Sequence, residues 1–89
     1  MKTIRLTIKG KVQGVFYRAT AKDVADLTGI KGWVKNLPDN NVEIIATASE
    51  DVLQKFINWC KQGPLRARVD EVIVEELELR EFNGFKVIR

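Results

Sequence analysis

The chain has 89 residues, 45% of them hydrophobic and 30% charged, with a formal net charge of +3. This is the balance of one ordinary globular domain spanning residues 1–89, and no apolar run approaches the roughly 18 residues a bilayer crossing needs. With no histidine and a single cysteine, a Ser-His-Asp triad, a Cys-His pair, an internal disulfide and the common zinc sites are excluded.

The first stretch alternates. Ile4, Leu6 and Ile8 face one way and Arg5, Thr7 and Lys9 the other, which predicts a half-buried strand over Thr3–Lys9. The next residues read Gly10-Lys11-Val12-Gln13-Gly14-Val15-Phe16-Tyr17-Arg18. Gly10 and Gly14 permit backbone angles closed to other residues, so the N–H groups between Gln13 and Arg18 can converge. A helix is predicted from Arg18 to Thr28, with Ala21, Val24, Ala25 and Thr28 on one face and Gly29 as the stop. Lys22 and Asp26 sit four apart and can pair weakly. The helix N-terminus adds free donors and partial positive charge, and Arg18 adds a planar fork suited to phosphoryl oxygens. The segment therefore reads as an oxyanion cradle. Spacing alone leaves open an ordinary βα turn with a solvated Arg18. Phe16 and Tyr17 are read as packing beneath the loop.

Ile30–Lys35 predicts a second strand centred on Trp33 and Val34, with Trp33 as core or half-exposed packing. Gly32 marks a bulge or a close backbone approach, with the preceding loop as one candidate neighbour. Leu37–Asn41 is dense in turn formers, and Val42–Ala48 completes an antiparallel hairpin. Ser49 is a helix N-cap, with Glu50 and Asp51 suited to the dipole. Val52, Leu53, Phe56, Ile57 and Cys60 form an apolar stripe, and Gly63-Pro64 stops the helix. Val69–Leu79 is a long strand with an irregular start, and Phe85–Ile88 adds a short last strand. The order βαββαβ predicts an α+β ferredoxin-like sandwich: a mostly antiparallel sheet with both helices on one face. The N-terminal residues lack the apolar stretch of a signal peptide, so a cytoplasmic location is expected.

The segment Gly10–Arg18, followed by Gly32-Trp33-Val34-Lys35-Asn36, closely resembles the two signatures of the acylphosphatase family. The resemblance extends through Leu37-Pro38-Asp39, Val42-Glu43-Ile44, Gly63-Pro64, Ala67, Val69 and Val72. Asn40 departs from the family's usual glycine, but asparagine tolerates left-handed angles. The resemblance implies metal-independent hydrolysis of small acyl phosphates to a carboxylate and inorganic phosphate, with no cofactor. It assigns phosphate binding to the loop of Gln13, Gly14, Val15, Phe16, Tyr17 and Arg18, and catalysis to Arg18 and Asn36, with Asn36 positioning the attacking water. Inorganic phosphate or sulfate is expected to inhibit. A monomer is expected, with no nucleic-acid or membrane partner.

Three other readings compete. Cys60 and Arg66 have the spacing of cysteine-dependent phosphatases, but Cys60 falls on a helical apolar stripe, where a thiol is inert. RNA-recognition domains share the element order, yet Lys31-Gly32-Trp33-Val34 and Asn83-Gly84-Phe85-Lys86 lack interleaved aromatics. A regulatory anion-binding domain is opposed only by Asn36, through the family match.

Overall fold

Alternation along the first strand decides which face of the sheet is buried, and the rest of the fold follows from covering it. The computed structural model describes residues 1–89. Its elements are β1 (Lys2–Lys11), α1 (Tyr17–Thr28), β2 (Lys31–Asn36), β3 (Val42–Ala48), α2 (Glu50–Gln62), β4 (Arg68–Leu77) and β5 (Phe85–Ile88). The strands form one sheet in the order β4-β1-β3-β2-β5. All neighbours are antiparallel except β2 and β5, which run parallel. The expected short last strand is thus present. It closes the sheet edge next to β2.

Register places the apolar side chains together. Ile4, Leu6 and Ile8 pair with Ala46, Ile44 and Val42, and Val34 pairs with Ile44 from the other side. This face carries the core, joined by Ala21 and Ala25 of α1 and by Leu53, Phe56 and Cys60 of α2. Full burial of each large aliphatic side chain contributes roughly 1.5–3 kcal/mol. Thr28, expected on the buried face of α1, is exposed; its hydroxyl donates to the Val24 carbonyl at 2.8 Å, which satisfies it within the helix end. Ser49 caps α2, its side chain accepting from the Val52 N–H at 3.4 Å.

The open face is held by charge. Arg5 and Lys35 both reach Glu43, at 3.4 and 3.7 Å. Trp33 is the one aromatic among the strand residues of this face, and Lys35 Nζ lies 5.0 Å from its ring centroid. Gly32 does make a close approach, but to β3 rather than to the loop: at φ 145° its hydrogen faces the Ile45 carbonyl, and a Cβ there would sit 1.9 Å from that oxygen. No helix is long and apolar enough to cross a membrane.

The topology brings three chain segments to one end of the sheet. They are the β1–α1 loop, the end of β2 at Asn36, and the end of β5.

Candidate active site

Between β1 and α1 the chain anchors every second or third residue. Val12, Val15 and Tyr17 are buried, which holds the loop down onto the core. The Tyr17 hydroxyl donates to the Cys60 carbonyl at 2.8 Å, and its ring lies 5.4 Å from that of Trp59. Burial raises the phenol far above its ordinary value and keeps it neutral. Tyr17 thus packs beneath the loop as expected. Phe16 does not: it is 69% exposed. The reason is backbone direction. Phe16 is the N-cap of α1 at φ 66°, and this left-handed turn swings its side chain away from the core.

The loop's amides are idle. Gly14 at φ 73° and Phe16 at φ 66° interrupt the ordinary backbone course. No N–H from Val12 to Ala19 donates to a backbone or side-chain acceptor; the first committed amide is that of Thr20, to the Phe16 carbonyl at 3.0 Å. Loop amides and the first turn of a helix left free in this way form an anion-attracting surface.

Beside them lies a cleft of about 450 Å³, lined by Gly14, Phe16, Arg18 and Asn36 among others. Arg18 is half-buried, and its Nη1 donates to the Ile88 carbonyl at 3.1 Å. That bond aims the guanidinium while leaving most of its donors available. Arg89 also lines the cleft. Neither arginine forms an ion pair, unlike Arg5 and Lys35 on the open face. The cleft therefore carries uncompensated positive charge.

Asn36 enters from the last position of β2, paired with Val42 on the helix face. Its Oδ1 is buried and has no hydrogen-bond partner. Leaving a buried carbonyl oxygen unpaired costs about 1–3 kcal/mol. Such an atom marks a position where a water or ligand is to be held.

Of the residues expected at the site, Gly14, Phe16, Tyr17, Arg18 and Asn36 share the cleft. Gln13 and Val15 do not line it. Gln13 Nε2 instead donates to the carbonyls of Leu37 and Asn41, at 2.9 and 2.8 Å. It ties the loop to the β2–β3 turn and so holds the end of β2, where Asn36 sits. Sequence reasoning missed Val87, Ile88 and Arg89. The strand pattern over Phe85–Ile88 was readable, but nothing local said that it lies parallel to β2. Cys60 is fully buried within α2 and does not line the cleft, and burial pushes its thiol up to about 12. It has none of the thiolate character that cysteine-dependent phosphoryl transfer needs. No group of three or more His, Cys, Asp or Glu side chains is placed to hold a metal ion.

The acylphosphatase family model matches residues 4–87. An acylphosphatase of Legionella pneumophila (strain Paris) is 44% identical over 85 residues, covering 96% of this chain and 93% of that protein. The crystal structure of acylphosphatase from Bacillus subtilis superposes with a TM-score of 0.96 at 34% identity, covering 100% of both chains. Full-length HypF, in its phosphate- and nucleotide-bound form, matches with a TM-score of 0.88 at 27% identity, over 99% of this chain and 12% of that one. A ferredoxin-like sandwich with this loop and this sequence likeness along nearly its whole length belongs to the acylphosphatase family, and the chain is an enzyme that hydrolyses the acid anhydride of acyl phosphates.

Proposed function

We propose that the loop amides from Gln13 to Arg18, with the Arg18 guanidinium, bind the phosphoryl group of a small acyl phosphate, and that Asn36 positions the attacking water. The observation that carries this reading is the coincidence, in one cleft, of unpaired donors and an unpaired acceptor. The loop offers free N–H groups and Arg18. Asn36 offers the buried, unpartnered Oδ1. Donors suit the phosphoryl oxygens, and the acceptor suits a water proton. HypF, 12% of which matches this fold, is likewise a protein described in a phosphate-bound form.

In this mechanism the water oxygen attacks phosphorus in line with the departing carboxylate. A bond forms from water oxygen to phosphorus, and the phosphorus–acyl oxygen bond breaks with its electron pair leaving on the carboxylate. The dianionic substrate and one water become a carboxylate and dihydrogen phosphate, so charge and protons balance. A carboxylate is a good leaving group, so no strong general acid is required, and the absence of histidine is no obstacle. The reaction demands positioning and charge stabilisation, which fixed amides and a guanidinium supply. Asn36 is too weak a base to take the water's proton; that proton passes to a phosphoryl oxygen.

The test is release of inorganic phosphate from acetyl phosphate, with a phosphate monoester as control. Acetyl phosphate is hydrolysed and the monoester is not, chelators have no effect, and inorganic phosphate or sulfate competes. Equal turnover of the monoester, or loss of activity with chelator, overturns the mechanism.

A further inference from the structure

Phe16 is a costly choice of residue. Its left-handed backbone disfavours any side chain, and a bulky one most of all. The backbone there is locked in use: the Phe16 carbonyl accepts from the Thr20 amide at 3.0 Å and from the Thr20 hydroxyl at 2.8 Å. Glycine would meet both demands without strain. The phenyl ring does not offset the strain through packing, since the residue is 69% exposed. It does line the cleft that holds Arg18 and Asn36. Strain kept at a site with no return in stability points to a function there.

The cleft itself indicates which function. At about 450 Å³ it is far larger than one phosphoryl group. Away from Gly14, Arg18 and Asn36, its wall is made of Val12, Phe16, Tyr17, Ala19 and Val87, all apolar, with the Arg89 side chain as the one charged member. The charged end of the substrate is served by the loop, so the apolar remainder is left for whatever the phosphoryl group is attached to. We infer that Phe16 is a specificity-determining residue, the outer wall of an acyl subsite that favours apolar and above all aromatic acyl groups. The inference rests on the phosphoryl end lying at the loop, as proposed above.

The experiment compares benzoyl phosphate with acetyl phosphate in the wild type and in Phe16→Gly, Phe16→Ala and Phe16→Tyr. In the Gly and Ala variants the benzoyl-to-acetyl ratio of kcat/KM falls about five- to tenfold, the worth of a few tens of Å² of apolar contact, with the loss in KM. Phe16→Tyr, which keeps the ring, keeps the ratio. Because the Phe16 amide belongs to the cradle, inorganic phosphate inhibition is measured in each variant, and the ratio of the two substrates, which share the phosphoryl group, cancels any change there. Phe16→Gly is at least as stable as the wild type to thermal unfolding. An unchanged ratio in both Gly and Ala variants, with phosphate still competing, overturns the subsite and leaves the phosphoryl-binding reading intact. A marked loss of stability in Phe16→Gly also overturns it, because the ring would then be a packing element. A wild type that hydrolyses neither substrate overturns the underlying reading instead.

Discussion

Phe16 and Asn40 are the two residues with side chains at positive φ, 66° and 72°, and they lie in neighbouring connections at one end of the sheet. Their surroundings differ in every other respect. Around Asn40 the polar groups are committed: Leu37 N–H donates to the Asn41 carbonyl at 2.8 Å, Asn40 N–H to the Leu37 carbonyl at 3.2 Å, and Asn41 N–H to Asp39 Oδ1 at 3.2 Å. Gln13 adds two further bonds to the same carbonyls. Around Phe16 the donors from Val12 to Ala19 are idle. Asparagine is a residue that tolerates left-handed angles at little cost. Phenylalanine is not, and a left-handed conformation costs it about 1–2 kcal/mol. One connection is built for stability. The other stores unsatisfied donors and strain, which is the condition of a segment waiting for a ligand.

Four experiments break or sharpen this contrast. Arg18→Gln has the largest expected effect: phosphate inhibition and turnover both collapse, by about 10³-fold or more, because the cradle loses its only guanidinium held by the Ile88 carbonyl. Near wild-type hydrolysis of acetyl phosphate by this variant would end the idle-donor reading. Asn36→Ala is expected to lose about 10²–10³-fold in kcat while the inhibition constant for phosphate stays put. Steady-state kinetics with phosphate as inhibitor separates the two, and equal losses would move Asn36 into the cradle.

The third concerns the core that supports the loop. The Cys60 thiol is ordinarily 9.0 and is raised to about 12 by burial. The unfolded chain therefore loses that proton first as pH rises. Stability contributed by the neutral buried thiol is complete below pH 9 and declines by about 1.4 kcal/mol per pH unit up to pH 12. Tyr17, whose phenol is also raised by burial, acts in the same direction at higher pH. Urea titrations of wild type and Cys60→Ser between pH 8 and 11 should differ in slope by the thiol's share. Activity at neutral pH should be intact in Cys60→Ser, and a dead variant would make the thiol a participant.

The smallest effect belongs to the satisfied turn. Asn40→Ala should cost about 1 kcal/mol, lowering Tm by about 4–8 °C, whereas Asn40→Gly should stay within a few tenths. Phosphate inhibition should not change in either. A loss of phosphate affinity in Asn40→Gly would show that the two connections are not separable.

Much of this was readable locally. The third strand runs over Val42–Ala48 as its pattern indicates, and Ser49 caps α2. Glycines at 10 and 14 ahead of Arg18 were enough to raise an anion site, and the family signatures sharpened it. Misreadings came where burial depends on backbone direction. Phe16 follows an apolar residue in a mixed loop, and nothing in its neighbours announces a left-handed turn. Gly32 signalled a close approach, but not that the neighbour is the Ile45 carbonyl.

Periodicity and turn chemistry act within a few residues, so the chain's own pattern was sufficient to dictate the elements, their order and the composition of the loop. The bond from Arg18 to the Ile88 carbonyl joins residues 70 positions apart. The orphaned Oδ1 of Asn36 likewise exists only because β2, the loop and β5 converge at one end of the sheet. Which donors stay free and which guanidinium is aimed are properties of packing between distant segments, and no local pattern encodes the outcome of that competition.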